Sequence, residues 1–148
     1  MNPLPGVSDD TWRTFVADIS ELLELREGER VFAVGPCAEA FLEPLRDAGC
    51  VVGHGTIGGL EPSGEWDVVV ACGGFEAAND AAAEAVARMV AKAYRAVAIL
   101  DVSDAAFQRS WFLRTFAGLG MKAIELTDLR LAGYAVGEER FNVIARLA

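Results

Sequence analysis

The residues best placed to do chemistry stand just after apolar runs. Gly35-Pro36-Cys37-Ala38 follows Val31-Phe32-Ala33-Val34 and precedes a helical stretch. A glycine there lets the backbone turn tightly, and the first amides of the next helix, lacking intrahelical partners, can receive a ligand. Cys37 adds a thiol at a helix N-terminus, where thiolates form more readily; its other reading is a small core residue. His54-Gly55 follows a second β segment, and His54 is the only histidine. Cys72-Gly73 ends a third, and Glu76 just beyond it is a candidate catalytic carboxylate whose other reading is a solvated residue at a helix entry. Asp101 and Asp104 bracket a fourth tip, where they read as metal ligands or as helix caps. Tyr134 lies in a later loop.

The elements that hold these residues read from periodicity. Ser8 and Asp9 cap a first helix with the stripe Trp12, Phe15, Val16, Ile19, Leu22 and Leu23, ended by Gly28. A strand over 31–34 and a helix through Phe41, Leu42 and Leu45 follow, with Pro44 expected to kink that helix or limit its first part. Short strands are expected over 50–53 and 67–72. Asn79 or Asp80 caps a helix bearing Val86, Met89, Val90 and Tyr94. A strand over 96–102 leads to a helix starting at Ser103 or Asp104, with Phe107, Trp111, Phe112 and Phe116 mainly as core. Two strands, 122–126 and 141–147, close the chain. Alternating strands and helices ending in two successive strands predict a three-layer α/β/α domain. Its sheet is mostly parallel and Rossmann-like, with an antiparallel strand near one edge. Ligands of such sheets bind beyond the carboxyl ends of the strands.

Composition narrows the function classes. At 148 residues and 53% apolar, the chain supports one domain with its own core over 1–148, with 1–7 expected as a flexible N-terminus. Apolar runs stop at five residues, so no membrane span is expected. The first residues lack a signal-peptide pattern, which points to the cytoplasm. A net charge of −9, with eleven Arg, two Lys and no basic stripe, argues against nucleic acid and favours cationic or neutral ligands. Cys37, Cys50 and Cys72 are widely spaced, which argues against a structural metal site or a disulfide framework.

In order and spacing these segments resemble the class I S-adenosylmethionine-dependent methyltransferases. Residues 31–37 sit where that family has its first strand and glycine-rich turn. Residues 47–53 resemble the following helix end and second strand, and 65–76 the fourth strand and its loop. Residues 118–121 and 141–145 are similar to the ends of many small members. The resemblance covers about residues 20–148. It implies a sheet of order 3-2-1-4-5-7-6, S-adenosylmethionine as cofactor, and methyl transfer to a small molecule by in-line attack on a sulfonium, a reaction governed by positioning. The cofactor-binding residues it implies are Gly35, Pro36, Cys37, Ala38, His54, Gly55, Cys72 and Gly73.

Three departures shape further expectations. Of the family's three turn glycines only Gly35 remains; Cys37 and Glu39 hold the other places and are expected to crowd the adenosyl position. The acidic residue that usually takes both ribose hydroxyls is replaced by Gly55, next to His54, with Glu39 or Glu61 as substitutes. Thirteen residues, 54–66, replace a helix, a third strand and a turn, so the third-strand region reads as shortened or lost. An uncovered sheet edge favours association, as a homodimer or with another protein. The alternative function is therefore a non-catalytic domain that has lost the cofactor and serves as a partner or small-ligand module.

Overall fold

Two apolar faces on every central strand dictate the layering. In β1 (Arg30–Val34) Val31 and Ala33 point to one side, Phe32 and Val34 to the other. The same alternation runs through β3 (Trp66–Cys72), β4 (Ala93–Ser103) and β6 (Arg140–Leu147). Strands buried on both faces need helices on both. On one side these are α1 (Asp9–Leu22) and α2 (Ala38–Asp47), and on the other α3 (Asp80–Lys92) and α4 (Arg109–Gly118). The computed structural model describes residues 8–55, 66–73, 75, 79–103, 107–127 and 140–147.

With β2 (Val51–Gly55) and β5 (Met121–Thr127), the sheet has six strands in the order β2-β1-β3-β4-β6-β5. β2, β1, β3 and β4 are mutually parallel, and β6 runs antiparallel between β4 and β5. The expected three-layer, mostly parallel architecture is therefore present, with its reversed strand next to the edge. Among the described residues β2 forms the other edge.

Ser8 caps α1, its Oγ accepting from the Thr11 amide at 3.1 Å, and Asn79 caps α3 through the Ala82 amide at 3.0 Å. The first helix stops at Leu22, well before Gly28, with Glu24 in the left-handed region at φ 55°. Pro44 does not limit α2, which continues to Asp47. Tyr94 is not on the core face of α3: it lies in β4 and is 53% exposed. The fourth helix begins at Arg109, after Gln108, rather than at residue 103 or 104, because β4 extends to Ser103. Phe112 and Phe116 are fully buried in it, as their spacing requires.

The amino-terminal end of the sheet is tied by charge. Arg95 grips Glu29 through two bonds of 3.1 and 3.0 Å and donates to the Leu23 carbonyl at 2.6 Å. Arg146 donates to the Leu22 carbonyl, and the Arg30 amide to Asp67 at 2.8 Å. These contacts fix the carboxyl end of α1 beneath β1 and β4. The opposite end is left for a site.

Candidate functional site

At the carboxyl edge the strand tips are laced together by backbone. The Gly35 amide donates to the Gly55 carbonyl at 3.2 Å, the Cys37 amide to Cys72 at 3.0 Å, and the Gly73 amide to Leu100 at 3.3 Å. The eight binding residues expected from the sequence, Gly35, Pro36, Cys37, Ala38, His54, Gly55, Cys72 and Gly73, thus meet on one rim. Glu76, Asp104 and Tyr134 lie outside the described residues, as does the side chain of Asp101.

Glycine is required at the centre of this rim. Gly35 has φ 99°, and a Cβ there would stand 2.7 Å from the Gly73 oxygen and 2.8 Å from that of Cys72. Gly73, at φ 80°, faces the Pro36 ring, which a Cβ would approach to 3.1 Å. The β1–α2 turn is therefore seated directly on the end of β3.

Cys37 and Glu39 do not crowd the crevice as expected. Cys37 is 7% exposed and turned down into the core shared with Ala38, Phe41 and Cys72. Glu39 reaches sideways to His54, Oε2 lying 2.9 Å from Nε2, and its other oxygen lies 3.4 Å from Arg46. His54 shares a face of β2 with Val52, which packs on the α1–α2 core, so this contact lies on the helix side of the strand. It links the first turn of α2 to the tip of β2. Gly55 ends β2 and offers no side chain.

Sequence reasoning missed two residues, Phe75 and Trp66. Phe75, just past Gly73, meets Phe107 and Phe112 edge-on at 5.9 and 6.0 Å, and Phe107 meets Trp111 at 5.3 Å. This places a half-buried aromatic wall beside the β3 tip. At the other end of β3 an irregularity between Trp66 and Val68 re-aims Trp66 onto the α3–α4 side. There the indole lies 4.9 Å from the Phe32 ring and covers Gly53, whose Cβ would meet it at 2.8 Å. Two cavities of about 260 and 300 Å³ lie between α1 and α2, both bordered by Arg13 and Pro44, and include none of the rim residues. Among the described residues no group of three or more His, Cys, Asp or Glu could hold a metal, and no helix is long and apolar enough to cross a membrane.

Among the described residues the strand order matches 3-2-1-4-5-7-6 without its third member, and solved structures share the fold. Magnesium protoporphyrin IX methyltransferase from Synechocystis PCC 6803, with bound S-adenosylmethionine, superposes at TM-score 0.65 and 16% identity, covering 94% of this chain and 79% of that one. The N-methyltransferase NodS from Bradyrhizobium japonicum gives 0.70 at 13%, covering 95% and 98%. The fold is that of the class I methyltransferases. CalS10, an amino pentose methyltransferase from Micromonospora echinaspora with bound S-adenosylmethionine, gives 0.62 at 14%, covering 93% and 92%. No family model matches the sequence, and no curated relative is matched. The methyltransferase fold is thus kept at sequence identities where only its geometry is shared.

Proposed function

We propose that the crevice above β1 binds S-adenosylmethionine and that the chain passes its methyl group to a small-molecule acceptor. One observation carries this reading: the two side chains that replace the turn glycines leave the crevice, Cys37 into the core and Glu39 toward His54. Among the described residues neither side chain stands over the turn at Gly35, where a cofactor on this fold would approach the backbone.

The turn suits such a ligand by shape rather than by free donors: the amides of Gly35, Cys37 and Ala38 already donate to Gly55, Cys72 and Gly35, and Pro36 has none. Gly35 to Ala38 would therefore hold its amino-acid end by backbone contact, and Gly55 leaves room at the ribose position without supplying an acceptor. The cofactor brings an electrophilic methyl group on a cationic sulfonium, which suits a chain of net charge −9. The protein's part is positional. The laced rim fixes the turn, and Phe75 and Trp111 offer apolar surface against which an acceptor can be held in line.

Calorimetric titration with S-adenosylhomocysteine tests the binding. Saturable heat at micromolar ligand is expected, and no heat at millimolar ligand overturns the reading.

A second reading rests on Gly55. Losing a buried carboxylate contact to ribose costs about 2–5 kcal/mol, about two to three decades of affinity. On that ground the fold serves as a non-catalytic module that pairs with another copy or another protein. It predicts an assembly by light scattering together with silent calorimetry. A monomer that binds the cofactor removes it.

A further inference from the structure

The two cysteines of the rim are adjacent in space although 35 positions apart in sequence. The Cys37 amide donates to the Cys72 carbonyl at 3.0 Å. Standard bond lengths then hold the two Cα atoms within about 7 Å, inside the span a disulfide bridges. Both side chains point the same way, into the core cluster on the α1–α2 side. The Cys37 sulfur also lies 3.7 Å from the position of a Cβ on Gly73, the residue after Cys72. Neither cysteine is in a disulfide, and neither is Cys50, which lies at the opposite end of the sheet with its thiol donating to the Arg26 carbonyl at 3.5 Å.

We propose that Cys37 and Cys72 form a reversible disulfide on exposure to a peroxide, a covalent modification site that staples the β1–α2 turn to the end of β3. Cys37, 7% exposed, meets the oxidant first; Cys72, 1% exposed, resolves it. In the first step the Cys37 thiolate attacks the peroxide oxygen and the O–O bond breaks, giving a sulfenic acid and, after proton transfer, water. In the second, Cys72 sulfur attacks Cys37 sulfur, the S–O bond breaks, and a second water leaves. Two thiols lose two hydrogens, and one hydrogen peroxide becomes two waters. A dithiol such as dithiothreitol reverses the change by exchange. The proposal does not depend on what the crevice binds.

The test uses the whole reduced chain, treated with a small excess of hydrogen peroxide and then digested after glutamate. Cleavage at Glu29, Glu39, Glu65 and Glu76 places the three cysteines in separate peptides, 30–39, 40–65 and 66–76. The expected result is an intact mass lower by two hydrogens, a linked 30–39/66–76 pair, and its disappearance with dithiothreitol. Cys50→Ser should oxidise in the same way, and Cys72→Ser should instead hold Cys37 as a sulfenic acid trapped by dimedone. A bridge involving Cys50, a bridge between two chains, or an unchanged mass in native buffer when the unfolded chain oxidises would each overturn the proposal.

Discussion

The indole Nε1 of Trp12 donates at 3.1 Å to the carbonyl oxygen of Ala40, the acceptor that Pro44, four residues on, has no amide to serve. Two local irregularities therefore resolve each other, and α2 runs through its proline while α1 is fixed against it. Trp12→Phe should cost about 1–3 kcal/mol, since it strands that carbonyl and trims a buried ring. With Pro44→Ala in place an amide is again available, and the loss should shrink by about 0.5–1.5 kcal/mol. Urea unfolding of the four proteins measures the coupling, and equal losses in both backgrounds would refute it.

Gly35→Ala meets both a left-handed backbone and two carbonyl oxygens inside 3 Å. The expected loss is about 2–4 kcal/mol, with the crevice disturbed as well. Thermal melts check the first, calorimetry the second. A substitution that leaves both unchanged would mean that the turn is looser than its geometry states.

Gly55→Asp places a carboxylate at the tip of β2, and Gly55 is not in the left-handed region. If the crevice takes an adenosyl ligand, affinity for S-adenosylhomocysteine should rise tenfold or more, a gain of at least about 1.4 kcal/mol. Adenosine should gain alongside it, because the new contact is to ribose. Unchanged affinity for both would remove the ribose from this corner.

Burial pushes the Cys50 thiol above its ordinary value of 9.0, and the nearby Glu29 carboxylate adds to the shift. An acid that ionises later in the folded chain holds its proton while the unfolded chain has lost it. Stability from this group is therefore complete below about pH 9 and falls as pH rises from there through the folded value. Cys50→Ala should flatten the decline in unfolding free energy that sets in above about pH 9. An unaltered slope would place the loss elsewhere.

The fold was legible because its strands are nearly continuous apolar runs separated by helical stripes, and each signal is local. Residues 31–34 and 67–72 leave few other readings. Boundaries were less so: β4 absorbs Tyr94, and α4 starts at Arg109, because pairing with β3 and β6 extends the strand past its apolar centre. The rim residues followed from the rule that ligands collect at strand tips. The side-chain directions did not. Whether Cys37 faces the crevice or the core depends on how Gly35 and Gly73 seat the turn on β3. Glu39 finds His54 only because β2 lies beside β1 in parallel register. The aromatic wall was half visible, since Phe107 and Trp111 share a helical spacing while Phe75 joins them across a crossover.

Trp66 acts as a keystone. Its flat ring is laid over the bare backbone at position 53 and against the ring of Phe32. Positions 53 and 66 are thereby locked into one shape: a methyl group added to the first would prise the second upward and wet Phe32 beneath. How closely the indole can settle on β2 is thus set by a single hydrogen at position 53.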